Sequence, residues 1–93
     1  EGGKRRVEAY INEKLVGLVV FEPIPKVQTL LKFELPPFGG NVAVRLKKLD
    51  GTVEDEKQGI YSPAPSMLEV LPVFVALLGA MGAILNLART PSP

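Results

Sequence analysis

Val70–Ala88 reads VLPVFVALLGAMGAILNLA, nineteen residues without a charge, and the medium that solvates this stretch decides the fold. Just upstream, Ser66–Met67–Leu68–Glu69 fits a capping box, in which the serine oxygen accepts from the fourth residue's amide and the glutamate reaches back. Continued as a helix from Met67 to Ala88, the segment would measure about 33 Å, against a hydrocarbon core of about 30 Å. Pro72 predicts a bend in the first turns. Arg89 can snorkel to headgroups, and Pro91 stops further helix.

The spacing therefore predicts one C-terminal transmembrane α-helix over residues 67–88, with Glu69 and Arg89 at the membrane interfaces. Ala76, Gly79, Ala80 and Ala83 recur at three- and four-residue intervals. On a helix they form one stripe of small side chains extended toward Asn86. Such a stripe predicts a helix-packing interface that admits a neighbouring helix, or a pigment or lipid held by a partner. The competing reading is a core helix of an α+β domain; it would need about sixty residues of β structure to wrap an apolar cylinder on every side.

Ahead of this stretch, residues 1–61 read as short strands broken by turns. Val7, Ala9 and Ile11 alternate with Arg6, Glu8 and Tyr10, the two-residue period of a half-buried strand. Leu15–Phe21 is a continuous apolar run, expected to be covered on both faces, with Gly17 marking a bulge or a close approach. Lys26–Leu35 and Asn41–Leu49 alternate again, the second more cleanly. Asp50–Gly51 predicts a two-residue hairpin turn returning the chain through Glu56, and Gln58–Tyr61 adds an edge strand. Residues 62–66, with Pro63 and Pro65, read as a stiff spacer, and residues 89–93 as a short tail. The expected fold class is α+β: a small antiparallel β domain, sandwich-like or a meander, followed by the membrane helix.

Composition removes several chemistries. With no Cys and no His, disulfides, thiolate nucleophiles, imidazole bases and the commonest metal ligands are absent. Eleven basic and ten acidic residues leave a net charge of +1, with no pull toward nucleic acid. Lys4–Arg5–Arg6 reads as a solvated arm, and Arg45, Lys47 and Lys48 carry the same ambiguity between solvated face and anion contact. Glu54–Asp55–Glu56 reads as a solvated hairpin, because adjacent strand residues face opposite ways and do not converge on a cation. The Gly2–Gly3 and Gly39–Gly40 pairs lack any phosphate-binding context.

No catalytic or metal-binding residue is expected, and no cofactor of the chain's own. The functional expectation is a small non-catalytic, single-pass accessory subunit of a multi-subunit membrane complex, by architectural analogy with those of thylakoid or inner mitochondrial membranes. Its partners would be other membrane subunits and the bilayer. The alternative is a free-standing tail-anchored adaptor whose β domain recruits a soluble protein or peptide. Ten of the eleven basic residues precede the apolar stretch, which places the β domain on the cytoplasmic, stromal or matrix side.

Overall fold

In the computed structural model, the described residues are 3–35, 39–61, 69–79 and 81–86. They form seven strands: β1 (Arg5–Ile11), β2 (Lys14–Phe21), β3 (Thr29–Leu35), β4 (Gly40–Lys48), β5 (Val53–Tyr61), β6 (Glu69–Leu78) and β7 (Met81–Asn86). All pairings are antiparallel. Sheet A has the order β2-β1-β4-β5, and sheet B the order β3-β6-β7.

The sheets face each other across one core. Val7, Ala9 and Ile11 of β1 and Val42, Val44 and Leu46 of β4 point inward from sheet A. Leu31, Phe33 and Leu35 of β3, Leu71, Val73 and Val75 of β6, and Ile84 of β7 meet them from sheet B. Each set falls on alternate residues, the pattern that a sheet with one covered face imposes. Since β3 precedes residues 62–66 and pairs with β6 beyond them, the core spans the predicted spacer, which itself lies outside the described residues.

The fold is therefore all-β, and the expected α+β class with a transmembrane helix at 67–88 is overturned. Among the described residues there is no helix, and none long and apolar enough to cross a membrane. The uncharged stretch is instead a hairpin turning at Gly79, whose φ of 70 suits a residue without a Cβ. The physical reason lies in β-branched and aromatic residues along Val70–Val75, and in a period that length and hydropathy do not fix. A strand apolar on both faces is as free of charge as a membrane helix. A hairpin also needs only one face covered, which β1 and β4 of sheet A supply, whereas a helix would need covering all round. Pro72 sits opposite Lys32 of β3 and beyond the last β6–β7 pair, Phe74 with Asn86. Along that stretch β6 has β3 as its described neighbour, so a missing N–H is tolerated on the other side.

Smaller expectations shift as well. β2 is an edge strand, not one covered on both faces: Leu15, Leu18 and Val20 are exposed while Val16, Val19 and Phe21 pack on the core. Gly17 does mark a close approach, since a Cβ there would lie 2.7 Å from Phe33 Cδ1, and the β1–β2 register shifts beside it. At Asp50–Gly51 the loop is three residues, not two. Gly51 N donates to Lys48 O, Lys48 N donates to Thr52 O, and Gly51 alone takes a positive φ of 97. The two-residue turn with both φ angles positive is Asn12–Glu13, at 50 and 69.

Candidate functional site

Three places on the molecule bring polar or exposed apolar groups together. The first is the seam where β5 of sheet A meets β7 of sheet B. The β4–β5 register slips between Leu46 and Lys47, so Glu54 is an extra residue between the Leu46–Asp55 and Lys47–Val53 pairs. That bulge turns two consecutive carboxylates toward sheet B. Glu54 accepts from Arg5 Nε at 2.6 Å and from Gly82 N at 3.3 Å; Asp55 accepts from Ile84 N at 2.7 Å. The Glu54 side chain is 2% exposed and that of Arg5 7%, so this is a buried ion pair, with Arg5 Nη1 also donating to the Gly3 and Lys4 carbonyls. Gly82 is required here: a Cβ would lie 2.6 Å from Leu46 Cδ2.

Two sequence expectations fail at this seam. Glu54 and Asp55 are not solvated, and Arg5 is not part of a solvated arm. The acidic reading assumed a regular two-residue alternation, which the bulge breaks, and the basic reading took a short charge run for a free arm, whereas Arg5 lies in β1 and pairs with Glu54. Their role is structural: they satisfy amides on the lateral edge of β7 that would otherwise be open to another strand. Among the described residues no group of three or more acidic side chains is placed to hold a metal ion.

The second place is the outer face of sheet A. Glu8, a buried carboxylate on β1, lies 2.8 Å from Lys47 Nζ and 3.0 Å from Arg6 Nε, and accepts the Tyr10 hydroxyl. Arg6 Nε makes the ionic contact without hydrogen-bond alignment. Burial pushes the Glu8 carboxyl up; hydrogen bonds from Lys47 and Tyr10 and the charges of Lys47 and Arg6 outweigh it and hold the group below the ordinary glutamate range. Arg45 lies over the Tyr10 ring, 4.7 Å from its centroid, and pairs with Glu56 at 3.4 Å. Gln58 donates to Glu56, whose carboxyl is held low by that bond and by Arg45. Beside this network, Tyr10, Asn12, Asn41, Arg45, Gln58 and Ile60 border an open trough of about 580 Å³. Its cation, Arg45, is already paired with Glu56, and its tyrosine hydroxyl, on Tyr10, donates to Glu8.

The third place is the outer face of sheet B. Residues alternating with the core positions point outward: Leu30, Lys32 and Glu34 on β3; Val70, Pro72, Phe74, Ala76 and Leu78 on β6; Met81 and Ala83 on β7. Leu85, in the β6–β7 bulge, is exposed too. Lys32 and Glu34 are the only charges among these, and neither makes an ion pair among the described residues.

The predicted packing stripe does not survive as a helical one. Ala76 and Ala83 are direct cross-strand partners on this face, Gly79 is the turn, and Ala80 lies outside the described residues. Seven residues apart on a helix, the two alanines share a face; in the hairpin they share one for a different reason, being equidistant from the turn. Of the two predicted interface residues, Glu69 opens β6 opposite Leu35, and Arg89 lies outside the described residues. Compared with known protein families, with characterised proteins and with solved structures, the chain matches none.

Proposed function

We propose that this chain is a non-catalytic binding module of a larger assembly, in the manner of a small accessory subunit of a membrane-associated complex, with the outer face of β3, β6 and β7 packed against an apolar surface of a protein partner. The observation that carries the reading is that face itself, which from Val70 through β7 is uncharged and whose charges, among the described residues, are Lys32 and Glu34 on β3. Leu30, Val70, Leu78, Met81 and Leu85 are all exposed on it, a cluster of large apolar side chains of the kind that marks interaction surfaces.

The other carboxylates on the sheets support a structural role. Glu8 and Glu56 are held in ion pairs, and Glu54 and Asp55 close the seam between sheets.

Co-purification of the tagged full chain from its native cells tests the proposal, compared with Val70→Glu and with a control substitution on sheet A, Leu18→Glu. A stoichiometric partner retained by the Leu18 variant and lost by the Val70 variant supports it. Loss with neither or with both overturns it, as does sedimentation of the purified chain as a homodimer through the Val70 face.

A further inference from the structure

Two hairpin turns emerge at one end of the sandwich, and the seam fixes their proximity. Gly82 N donates to Glu54, and Ile84 N to Asp55, so β7 runs alongside β5 in the same direction. The β6–β7 turn at Gly79 and the β4–β5 turn at Leu49–Gly51 therefore project together. Four large apolar side chains sit on these turns well exposed to solvent: Leu78 (62%), Met81 (56%), Leu49 (52%) and Val53 (49%). The connection from β2 to β3 leaves from the same end, where Arg5 registers with both Phe21 and Lys48, and adds exposed Ile24 and Val27. Among the described residues, the opposite end carries the polar turn Asn12–Glu13 with Lys14 and Asn41, and exposes the aliphatics Leu15 and Ile60.

Charge at the apolar end is mixed with a basic excess. Lys4, Lys26 and Lys48 are exposed there, against Glu22 and Asp50. Asp50 is engaged by the Thr52 amide at 2.9 Å, which with the Lys48 charge keeps its carboxyl below the ordinary range. Lys4 and Lys26 have no ion-pair partner among the described residues.

We infer that this end of the sandwich is a peripheral membrane contact: the tips of the two hairpins enter the headgroup–acyl boundary of a bilayer, and Lys4, Lys26 and Lys48 meet anionic headgroups. Apolar side chains on protruding turns, next to lysines whose stems can lie along the same surface, match a medium that is apolar below and anionic above. A protein surface matching separate prongs would need pockets spaced to receive each; a fluid lipid interface needs none. The contact spans no membrane, and it shares Leu78 and Met81 with the near end of the partner surface proposed above. Leu49 and Val53 belong to sheet A and take no part in the Val70 face.

Sedimentation of the full chain with vesicles tests it, using phosphatidylcholine alone and phosphatidylcholine mixed with phosphatidylserine. Binding to the anionic vesicles is expected to exceed binding to the neutral ones by on the order of tenfold, and to weaken as salt is raised. Leu49→Glu combined with Met81→Glu should lower binding to the anionic vesicles at least about tenfold while the far-ultraviolet spectrum stays that of the parent chain. Leu49→Trp provides a second readout in a chain that has no tryptophan: its emission should shift to the blue on adding anionic vesicles. Equal or absent binding to both vesicle types overturns the inference, as does an unshifted Leu49→Trp emission. Loss of binding in Val70→Glu with retention in the tip variant would transfer the membrane contact to the sheet B face, and so overturns it too.

Discussion

The two outer faces of this sandwich are made by the same strand geometry and are finished in opposite ways. On sheet A, every outward charge of the central strands has a counter-charge: Glu8 with Lys47 and Arg6, and Glu56 with Arg45. On sheet B, the outward positions from Val70 to Leu78 on β6 and at Met81 and Ala83 on β7 are apolar, and the two charges on β3 are unpaired among the described residues. A face built for water offers it polar groups and holds their charges in networks; a face built for burial leaves the burial to be completed. The contrast is one of charge pairing, since β2 on sheet A also exposes Leu15, Leu18 and Val20; under the proposed function it is the sheet B face that meets a partner.

The largest effect is expected at the seam that joins the faces into one body. Glu54→Ala leaves the Arg5 guanidinium buried without its carboxylate and uncaps Gly82 N, and should cost about 3 kcal/mol, read by urea unfolding. If the loss is below about 1 kcal/mol, the seam is incidental and the faces are not coupled through it.

A smaller effect belongs to sheet A. Glu8→Gln removes a carboxylate that serves Lys47, Arg6 and Tyr10, and should destabilise by roughly 1–2 kcal/mol at neutral pH. Because the folded chain holds the Glu8 carboxyl below its ordinary range, the group contributes fully above the unfolded value of about 4.3. That contribution is lost as pH falls through the lower, folded value. The wild-type chain should therefore lose stability in this acid window faster than Glu8→Gln, measured as unfolding midpoints across pH. Parallel curves would mean that Glu8 is not the hub of this face.

The smallest effect sharpens the contrast most. Val70→Lys on sheet B should leave the stability of the isolated chain within about 0.5 kcal/mol of wild type by thermal unfolding, because the position is already exposed. A large loss would show that the face is needed for folding and not reserved for a partner.

Much of sheet A was legible in the order of residues. Val7-Ala9-Ile11 and Val42-Val44-Leu46 alternate with polar neighbours, and alternation of this kind identifies a strand and its buried face together. The β6–β7 hairpin was not legible, because both of its faces are apolar; without alternation, nothing local distinguishes a strand buried on one side and apolar on the other from a helix in lipid. The seam was hidden for another reason. A one-residue bulge changes which face Glu54 uses, and no residue type near Leu46 or Lys47 announces it.

By itself, the sequence determined the chemistry excluded by the absence of His and Cys, the alternating strands of residues 5–48, and an uncharged stretch demanding apolar surroundings from Val70 onward. Only the tertiary structure decided what those surroundings are. β3, some forty residues upstream, pairs with that stretch edge to edge, and the inward residues of β1 and β4 cover one of its faces. The reason is that burial is a property of pairs of surfaces: a sequence states how much apolar surface must be covered, and long-range pairing states by what.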